Sequence, residues 1–389
     1  MEIEAAVVRE ESGPFEIESL ELEEPQAGEV LVRIVGAGVC HTDIAVRDQY
    51  YPTPLPAVLG HEGSGVVEEV GEGVTKVDPG DRVVLTFDFD TTCPNCKRGQ
   101  VAYCEDFFAH NFAGRRVTDG SSPIGRATNG SDADSAEHKS VDNGDGDEGT
   151  ISGMFFGQSS FGTHAIATER NVVPVDEDVP LELLGPLGCG IQTGAGGVIN
   201  TLDPQAGSSI VVFGTGSVGL SAVMAANLKG CTDVIAVDLK PARLAKARDL
   251  GATHAIDPED VEDVGAAIRE HLGGGAQYTV ETTANPAVLR EAVDVLRQTG
   301  TCGVIGAPPM GTEVSLDVNT VLFGRTVTGI IEGSSTPDLF IPNLIDLYRQ
   351  GKFPFDEIVT YYDFDGIERA VSEHEAGETI KPILRMSEP

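Results

Sequence analysis

The sequence predicts an α/β protein that combines a β-rich domain with a doubly wound, parallel-sheet domain. A chain of 389 residues is too long for one ordinary hydrophobic core. Residues 1–110 carry short alternating apolar runs between glycines and prolines, which is typical of strands and turns. From about residue 190 onward, short apolar runs alternate with helical stretches, as in parallel βαβ units. We therefore assign 1–190 and 332–389 to the first domain and 191–331 to the second.

Individual elements follow from the same patterns. Residues 119–150 contain almost no large apolar side chains and cannot bury a core, so we expect a mobile acidic loop there. The tail returns to mixed structure, with an amphipathic helix over 341–352. Helices are also indicated at 217–230 and 240–251. The predicted strands are 29–40, 63–71 and 81–87 in the first domain and 208–214, 233–238, 253–257, 278–283 and 301–306 in the second.

The charge composition is strongly acidic. There are 62 acidic residues against 26 Lys and Arg, of which eight are Lys, and the net charge is −36. Such a surface repels nucleic acid and anionic membranes, so we expect neither as a partner. No run of about 18 apolar residues is present, and the first residues lack a basic segment followed by an apolar core, so we expect a cytoplasmic protein. The charge fits an ordinary acidic protein or adaptation to molar salt, and we favour adaptation to salt.

Seven cysteines indicate metal binding rather than disulfides. Their number is odd and no export signal is evident, which argues against a disulfide framework. Three of them fall within residues 93–104, a spacing typical of a metal site.

A dinucleotide site is predicted at residues 214–219. Gly214, Gly216 and Gly219 form a Gly-x-Gly-x-x-Gly pattern between a strand and a helix, as in the Rossmann fold, and the helix N-terminus then faces a pyrophosphate. Asp238 ends the next strand, where a carboxylate would bind the adenine ribose hydroxyls and repel a 2′-phosphate. The pattern therefore favours NAD over NADP; a flavin or another nucleotide is the alternative.

Several motifs resemble those of the zinc-containing medium-chain alcohol dehydrogenases. They are GHExxGx5GxxV at residues 60–74, GVCHTD around Cys40, GPLGCGIQTGAG around Cys189 and GAPPMG at 306–311. The stretches CHTDIAVRDQYYPTPLPAVLGHEG, FFGQSSF and LYRQGKFPFD are especially similar to aryl-alcohol (benzyl alcohol) dehydrogenases. The resemblance covers nearly the whole chain outside the acidic loop. It implies a GroES-like catalytic domain and a Rossmann coenzyme domain.

By this resemblance Cys40, His61 and Cys189 are the catalytic zinc ligands, and Glu62 lies behind the metal. Two thiolates and one imidazole leave a fourth position for water or substrate. The alternative is that the two cysteines are ordinary small buried residues. Thr42 would hydrogen-bond the reacting alcohol oxygen. Family members often carry a relay histidine at the position that is Ala45 here, so the onward proton path is in doubt.

The resemblance also implies coenzyme contacts. His41 and Lys381 would contact the pyrophosphate and Arg243 would flank the adenine ribose, with a solvated side chain as the alternative for each. The remaining predicted contacts are Thr193, Ser217, Val218 and Ile305.

A second zinc site departs from the family pattern. The family spacing has four cysteines, whereas this chain has Asp90, Cys93, Cys96 and Cys104. A carboxylate can ligate zinc, so an occupied structural site of one Asp and three Cys is chemically allowed. A weakened or empty site with three free thiols is the alternative.

The resulting hypothesis is an NAD-dependent oxidation of a primary, aromatic alcohol to the aldehyde. Phe87, Phe155, Phe156 and Phe161 are the candidate pocket residues, with a place in the hydrophobic core as the alternative for the three in FFGQSSF. The alternatives are an aliphatic or polyol dehydrogenase, a zinc-free quinone or enone reductase, and a non-catalytic crystallin-like protein. We expect a small-molecule substrate and a homo-oligomer, either a dimer or a tetramer.

The net charge generates a prediction about salt. Self-repulsion is long-ranged at low ionic strength and is screened to about 3 Å at 1 M salt. The midpoint of thermal unfolding and the activity should therefore rise between about 0.05 and 2 M KCl. Scanning calorimetry measures the midpoint, and NADH formation measures the activity. A flat or falling midpoint across that series contradicts adaptation to salt and leaves the ordinary acidic protein.

Overall fold

The computed structural model describes residues 1–126, 150–176 and 178–387. These residues form a four-stranded, a six-stranded and a seven-stranded sheet. Within them, no helix is long and apolar enough to cross a membrane.

The strands vary from two to ten residues in length. In chain order they are β1 Glu2–Val8, β2 Glu16–Leu22, β3 Glu29–Gly38, β4 Ala57–Val58, β5 Gly63–Val70, β6 Arg82–Leu85, β7 Ile124–Arg126, β8 His164–Thr168, β9 Val172–Pro174, β10 Ser209–Phe213, β11 Asp233–Val237, β12 His254–Ile256, β13 Ala276–Glu281, β14 Leu296–Val304, β15 Thr326–Gly329, β16 Val359–Asp363 and β17 Lys381–Arg385.

The helices have recognisable start signals. Pro begins α5, α7 and α9, where its missing N–H costs nothing, and Asp or Asn side chains cap α6, α7 and α8. Their bounds are α1 His41–Arg47, α2 Phe107–Asn111, α3 Gly190–Gly196, α4 Ser217–Leu228, α5 Pro241–Asp249, α6 Val264–Leu272, α7 Pro286–Asp294, α8 Val318–Leu322, α9 Pro337–Arg349 and α10 Ile367–Ala376.

The first half of the chain and the tail form the two mainly antiparallel sheets. One has the order β4-β1-β2-β7, and the other has the order β16-β17-β3-β5-β6-β9 with β8 also paired to β3. The tail strand β17 pairs antiparallel with β3. The tail therefore completes the sheet that the first residues begin, as the predicted split domain requires, although the residue limits of the domains stay predictions.

The six-stranded sheet is parallel and has the order β12-β11-β10-β13-β14-β15. Every residue of β10 is buried, which is expected of a central strand covered on both faces. The chain runs outward from β10 to β12 and then crosses to β13 on the other side of β10. Ligands bind at such a switch point, beyond the carboxyl ends of the strands. The predicted fold class, with its doubly wound domain, is confirmed.

The predicted acidic loop needs a correction at its start. Ile124–Arg126 is a strand, β7, which pairs antiparallel with β2. Ile124 is buried, so this short apolar segment does find a core to join. Residues 127–149, which make up most of the predicted loop of 119–150, lie outside the described residues.

Close helix packing joins the two halves beside the switch point. A Cβ placed on Gly194 of α3 would lie 2.0 Å from the Val218 carbonyl oxygen of α4. Only glycine allows that approach. This close packing of α3 on α4 places Cys189, in the turn just before α3, near the start of α4. Cys189 therefore lies beside the dinucleotide motif.

Candidate metal centre and coenzyme cleft

The predicted catalytic zinc ligands come from three separate segments that meet at the cleft. Cys40 precedes α1, His61 lies between β4 and β5, and Cys189 precedes α3. One ligand atom from each of these residues and one from Glu62 all lie within 4.8 Å of one another. All four residues are buried. The structure therefore brings together the four residues predicted for the catalytic metal.

The Asp43 carboxylate fixes two of these ligands. Its Oδ2 accepts a hydrogen bond from the Cys40 backbone N–H at 2.9 Å. Its Oδ1 accepts from the Gly60 backbone N–H at 3.1 Å and lies 2.7 Å from His61 Nδ1. Carboxylates commonly orient metal-bound histidines through the second ring nitrogen. The sequence analysis missed Asp43, although its position inside the CHTD motif is a usable signal.

The remaining nitrogen of His61 tests whether a metal fits. Nε2 is buried and has no hydrogen-bond partner among the described residues, a costly state for a polar atom. With Nδ1 donating to Asp43, Nε2 presents a lone pair to the two thiols. Hydrogen bonding from Cys189 lowers the pKa of the Cys40 thiol, as a thiolate ligand requires. The donor set and the unpartnered nitrogen fit zinc.

Lys381 is paired with a buried carboxylate that the sequence analysis did not connect to it. Its side chain is fully buried, and Nζ donates to both carboxylate oxygens of Glu62 at 2.9 and 2.8 Å and to the Val39 carbonyl at 3.2 Å. Burial alone would lower the pKa of Lys381, but the Glu62 carboxylate raises it. The solvated alternative is wrong, and this geometry gives no support to a pyrophosphate contact. Lys381 instead neutralises the carboxylate behind the metal ligands.

Glu332 is a second buried carboxylate at the site that the sequence analysis did not identify. Cys189 Sγ donates to its Oε1 at 3.6 Å, and Thr193 Oγ1 donates to its Oε2 at 3.4 Å. Burial raises the pKa of Glu332 to about 7. Its signal in the sequence is an acid inside the apolar run GIIEG.

A cavity of about 530 Å³ opens beside the metal ligands. Cys40, Thr42 and Cys189 are among the residues that line it. Of the four predicted pocket residues only Phe156 lines it. Phe87, Phe155 and Phe161 are buried in the core, because this aromatic-rich segment supplies both the core and the cavity wall. The other large apolar and aromatic lining residues are Tyr51, Tyr103, Phe107, Phe108, Phe112, Ile305, Ile330 and Ile331.

The dinucleotide motif has the geometry that its pattern predicts. Gly214 follows β10 with a φ of 86°, a conformation that favours glycine. A Cβ on Gly219 would lie 1.9 Å from the Gly214 carbonyl oxygen, whereas one on Gly216 would meet nothing within 4 Å. The motif therefore packs tightly between Gly214 and Gly219, whereas the space around Gly216 is free. Gly216 directly precedes α4, which begins at Ser217. Val218 and Thr193 line the cavity.

Asp238 follows β11 at the same edge of the sheet. Its Oδ2 accepts from the Thr215 backbone N–H at 2.6 Å and from the Thr215 hydroxyl at 2.9 Å, and its Oδ1 accepts from the Lys240 N–H at 2.9 Å. The carboxylate thus supports the glycine loop. Arg243 is half-buried in the first turn of α5, so it is not a fully solvated helix charge, whereas His41 is exposed at the start of α1.

The second metal group also assembles. One ligand atom each from Asp90, Cys93, Cys96 and Cys104 all lie within 4.8 Å of one another. The Asp90 carboxylate accepts from the Cys93 backbone N–H at 3.0 Å, and this hydrogen bond lowers the pKa of Asp90. Asp90 is therefore ionised and close to three free thiols.

Comparison with known proteins agrees with this geometry. The chain matches the alcohol dehydrogenase GroES-like domain over residues 26–133 and the zinc-binding dehydrogenase domain over residues 217–349. It is 45% identical over 382 residues to a geraniol dehydrogenase from Castellaniella defragrans, which covers 98% of this chain and 97% of the relative. The chain belongs to the zinc-type alcohol dehydrogenase family. Its members use zinc and a nicotinamide coenzyme.

Two solved structures of this family share the whole fold. A zinc-binding-domain alcohol dehydrogenase protein from Burkholderia ambifaria is 49% identical, with a TM-score of 0.92 over 100% of this chain and 99% of that one. Benzyl alcohol dehydrogenase from Acinetobacter calcoaceticus is 44% identical, with a TM-score of 0.91 over 100% of both chains.

The Asp43 contacts generate a prediction about metal retention. Asp43→Asn would place an amide NH₂ against backbone N–H groups or the His61 N–H, so zinc affinity should fall by about 10- to 100-fold. Competition with a chromogenic chelator measures this. Asp48→Asn, which removes a partly exposed carboxylate paired with Arg47 next to the same helix, is the control. A zinc affinity of Asp43→Asn equal to that of the wild type would show that Asp43 does not hold the ligands.

Proposed function

We propose that this alcohol dehydrogenase oxidises primary, aromatic alcohols to aldehydes with NAD⁺, releasing NADH and a proton, and catalyses the reverse reaction. The cavity carries the proposal. Its walls are largely aromatic and aliphatic and include Cys40, Thr42 and Cys189, so a flat apolar alcohol can bind with its hydroxyl toward the metal ligands. The benzyl alcohol dehydrogenase relative supports the same substrate class.

The chain's own residues supply positioning and proton transfer. When bound by Cys40, His61 and Cys189, zinc would act as a Lewis acid that lets an alcohol ionise near neutral pH. The Thr42 hydroxyl lines the cavity, 3.9 Å from Cys40 Sγ, and accepts the alcohol proton while releasing its own. Ala45 is buried and cannot relay a proton, so the proton leaves through water or another group.

The aromatic side chains enclose the reacting atoms. Phe156 lies 4.6 Å from the His61 ring, between centroids, and Tyr51 donates from the catalytic side to the Pro308 carbonyl at 2.6 Å. Tyr103 similarly donates to the Gly329 carbonyl at 3.1 Å. These two hydrogen bonds bridge the two sides of the cavity.

A second candidate is a non-aromatic primary alcohol. The geraniol dehydrogenase relative is about as similar as the benzyl alcohol dehydrogenase, and the aliphatic residues Ile305, Ile330 and Ile331 line part of the cavity. A polyol is disfavoured because few polar side chains face this space. The assembled ligand group and the family argue against a zinc-free reductase or a non-catalytic protein.

A substrate panel tests the proposal. Benzyl alcohol, geraniol, 1-butanol and glycerol are compared by NADH formation, and benzyl alcohol should give the highest kcat/KM. Phe156→Ala should lower that value for benzyl alcohol by about 10-fold or more through lost aromatic contact, with Phe364→Ala, which is remote from the cavity, as control. A preference for geraniol supports the second candidate, and a preference for glycerol contradicts both.

The coenzyme preference gives a separate prediction. Asp238 at the end of β11 would face the adenine ribose and repel a 2′-phosphate, so kcat/KM should favour NAD⁺ over NADP⁺. Asp238→Ser should lower the ratio of kcat/KM for NAD⁺ to kcat/KM for NADP⁺ by about 10-fold or more, equivalent to about 1.4 kcal/mol. The loop contacts of Asp238 with Thr215 predict a loss of NAD⁺ affinity as well. A wild type that prefers NADP⁺ would contradict the assignment.

We also propose that the second metal group holds structural zinc, so that the chain binds about two zinc ions. Asp90→Cys should keep both ions, while Asp90→Ala should lose one and lower the thermal midpoint, because a metal that closes a loop contributes folding free energy. Elemental analysis and calorimetry measure this. One ion per wild-type chain, with Cys93, Cys96 and Cys104 all alkylated under native conditions, would mean an empty site.

A homo-oligomer is the assembly that we propose. The strand β15 ends the parallel sheet. Just before it, α8 exposes Val318 and Leu322 by 69% and 72%, and Phe323, which follows α8, is 59% exposed. An open strand edge next to apolar side chains favours pairing with another chain.

A further inference from the structure

One buried carboxylate on the cavity wall has no countercharge. Glu332 is 6% exposed and lines the cavity. It accepts hydrogen bonds from neutral side chains, but within the described part of the chain it forms no ion pair. The neighbouring carboxylate of Glu62, by contrast, is paired with Lys381. Because a buried charge without a partner is costly, this wall of the cavity indicates a ligand that brings positive charge.

The backbone holds Glu332 in an unfavourable conformation. Its φ is 47°, in the left-handed region that non-glycine residues rarely adopt. The turn is fixed from the side of α3, because Asn200 Nδ2 donates to the Gly333 carbonyl at 3.0 Å and Ser335 Oγ donates to Gln192 Oε1 at 2.9 Å. Strained residues that are enforced in this way concentrate at functional sites. The turn therefore holds the Glu332 side chain at the cavity.

Metal binding removes a donor from one oxygen of this carboxylate. Oε1 of Glu332 accepts from Cys189 Sγ at 3.6 Å, whereas Oε2 accepts from Gln192 Nε2 at 3.3 Å and from Thr193 Oγ1 at 3.4 Å. A cysteine that ligates zinc does so as a thiolate and has no hydrogen to donate. Glu332 belongs to neither metal group found among the described residues, so the metal does not replace the lost donor. Oε1 then needs another partner in the cavity.

The position of Glu332 indicates which part of the coenzyme it meets. Hydride transfer requires the nicotinamide ring to touch a substrate whose oxygen is held at the metal ligands. The coenzyme side of the same cavity is lined by Val218 of α4 and by Thr282 and Ile305, which follow β13 and β14. The ring therefore lies between the metal ligands and these strand ends. Glu332 follows β15, the next strand of that sheet, and contacts Cys189, so its carboxylate lies at this boundary.

We propose that Glu332 faces the nicotinamide ring and makes the enzyme bind the oxidised coenzyme in preference to the reduced coenzyme. The ring of NAD⁺ carries a positive charge, and hydride addition makes it neutral in NADH. A carboxylate beside the ring attracts the cation in a largely apolar cavity, whereas it has no net charge to attract in NADH. This inference rests on the proposed NAD-dependent function and adds a residue that distinguishes the two redox states of the coenzyme.

Binding measurements without turnover test the proposal. NAD⁺, NADH and ADP-ribose are titrated into the holoenzyme by calorimetry at one pH and one KCl concentration. Glu332→Gln keeps the size of the side chain and removes its charge, so the ratio of the Kd for NAD⁺ to the Kd for NADH should rise by about 10-fold. ADP-ribose, which has no nicotinamide, should bind as it does to the wild type. Glu291→Gln is the matched control, because Glu291 is a half-buried carboxylate of α7 that accepts from the Gly265 N–H, and its ratio should equal that of the wild type.

A second pair of variants covers the case in which Glu332→Gln misfolds. Glu332→Asp and Glu332→Asn have the same size and tolerate the left-handed backbone, and only the first keeps the charge. The Kd ratio should be higher in Glu332→Asn than in Glu332→Asp, and equal ratios would overturn the inference. A wild-type ratio in folded Glu332→Gln, or equal weakening of all three ligands, would also overturn it while leaving the dehydrogenase function intact. A wild-type protein that binds neither NAD⁺ nor NADH would overturn the proposed function and this inference together.

Discussion

A buried carboxylate joins the segments that carry two of the three zinc ligands. Asp43 accepts hydrogen bonds from the Cys40 and Gly60 backbones and from the His61 ring. These bonds fix the position of one thiol and orient one imidazole. Together with the contacts of Lys381 with Val39 and Glu62, they join the loops after β3 and β4. The third ligand, Cys189, depends instead on the close packing of α3 against α4, so the metal group and the coenzyme motif form on one scaffold.

Buried charge at this site is balanced in pairs. Lys381 neutralises Glu62, and Asp43 faces His61, so the ligands lie in a dry but compensated environment. Breaking a buried pair by removing one partner leaves an uncompensated charge, which typically costs about 3–5 kcal/mol. Glu332 has no such cation partner among its hydrogen bonds, and its carboxylate is stabilised by donors from Cys189, Gln192 and Thr193.

The fold and the metal ligands could be predicted because they leave strong local signals. Strand and helix periodicity and the glycine loop are properties of adjacent residues, and Cys40, His61 and Cys189 lie in distinctive motifs. The ion pair of Lys381 with Glu62 was not predicted, because the sequence does not show which buried acid a lysine meets. Phe87 and Phe161 were misplaced for a similar reason, since aromatic residues in one run divide between core and cavity according to tertiary packing. Asp43 lies inside the recognisable CHTD motif, but its role depends on contacts with the distant segment that carries Gly60 and His61.

The central claim is that Cys40, His61 and Cys189 hold the zinc on which alcohol oxidation depends, separately from coenzyme binding. Zinc content measured together with NADH formation in Cys40→Ser tests it most directly, with Cys231→Ser, a buried non-ligand cysteine, as control. We expect Cys40→Ser to lose about one zinc ion per chain and all alcohol-dependent NADH formation while still binding NADH. Wild-type turnover by Cys40→Ser without zinc at this site would contradict the account.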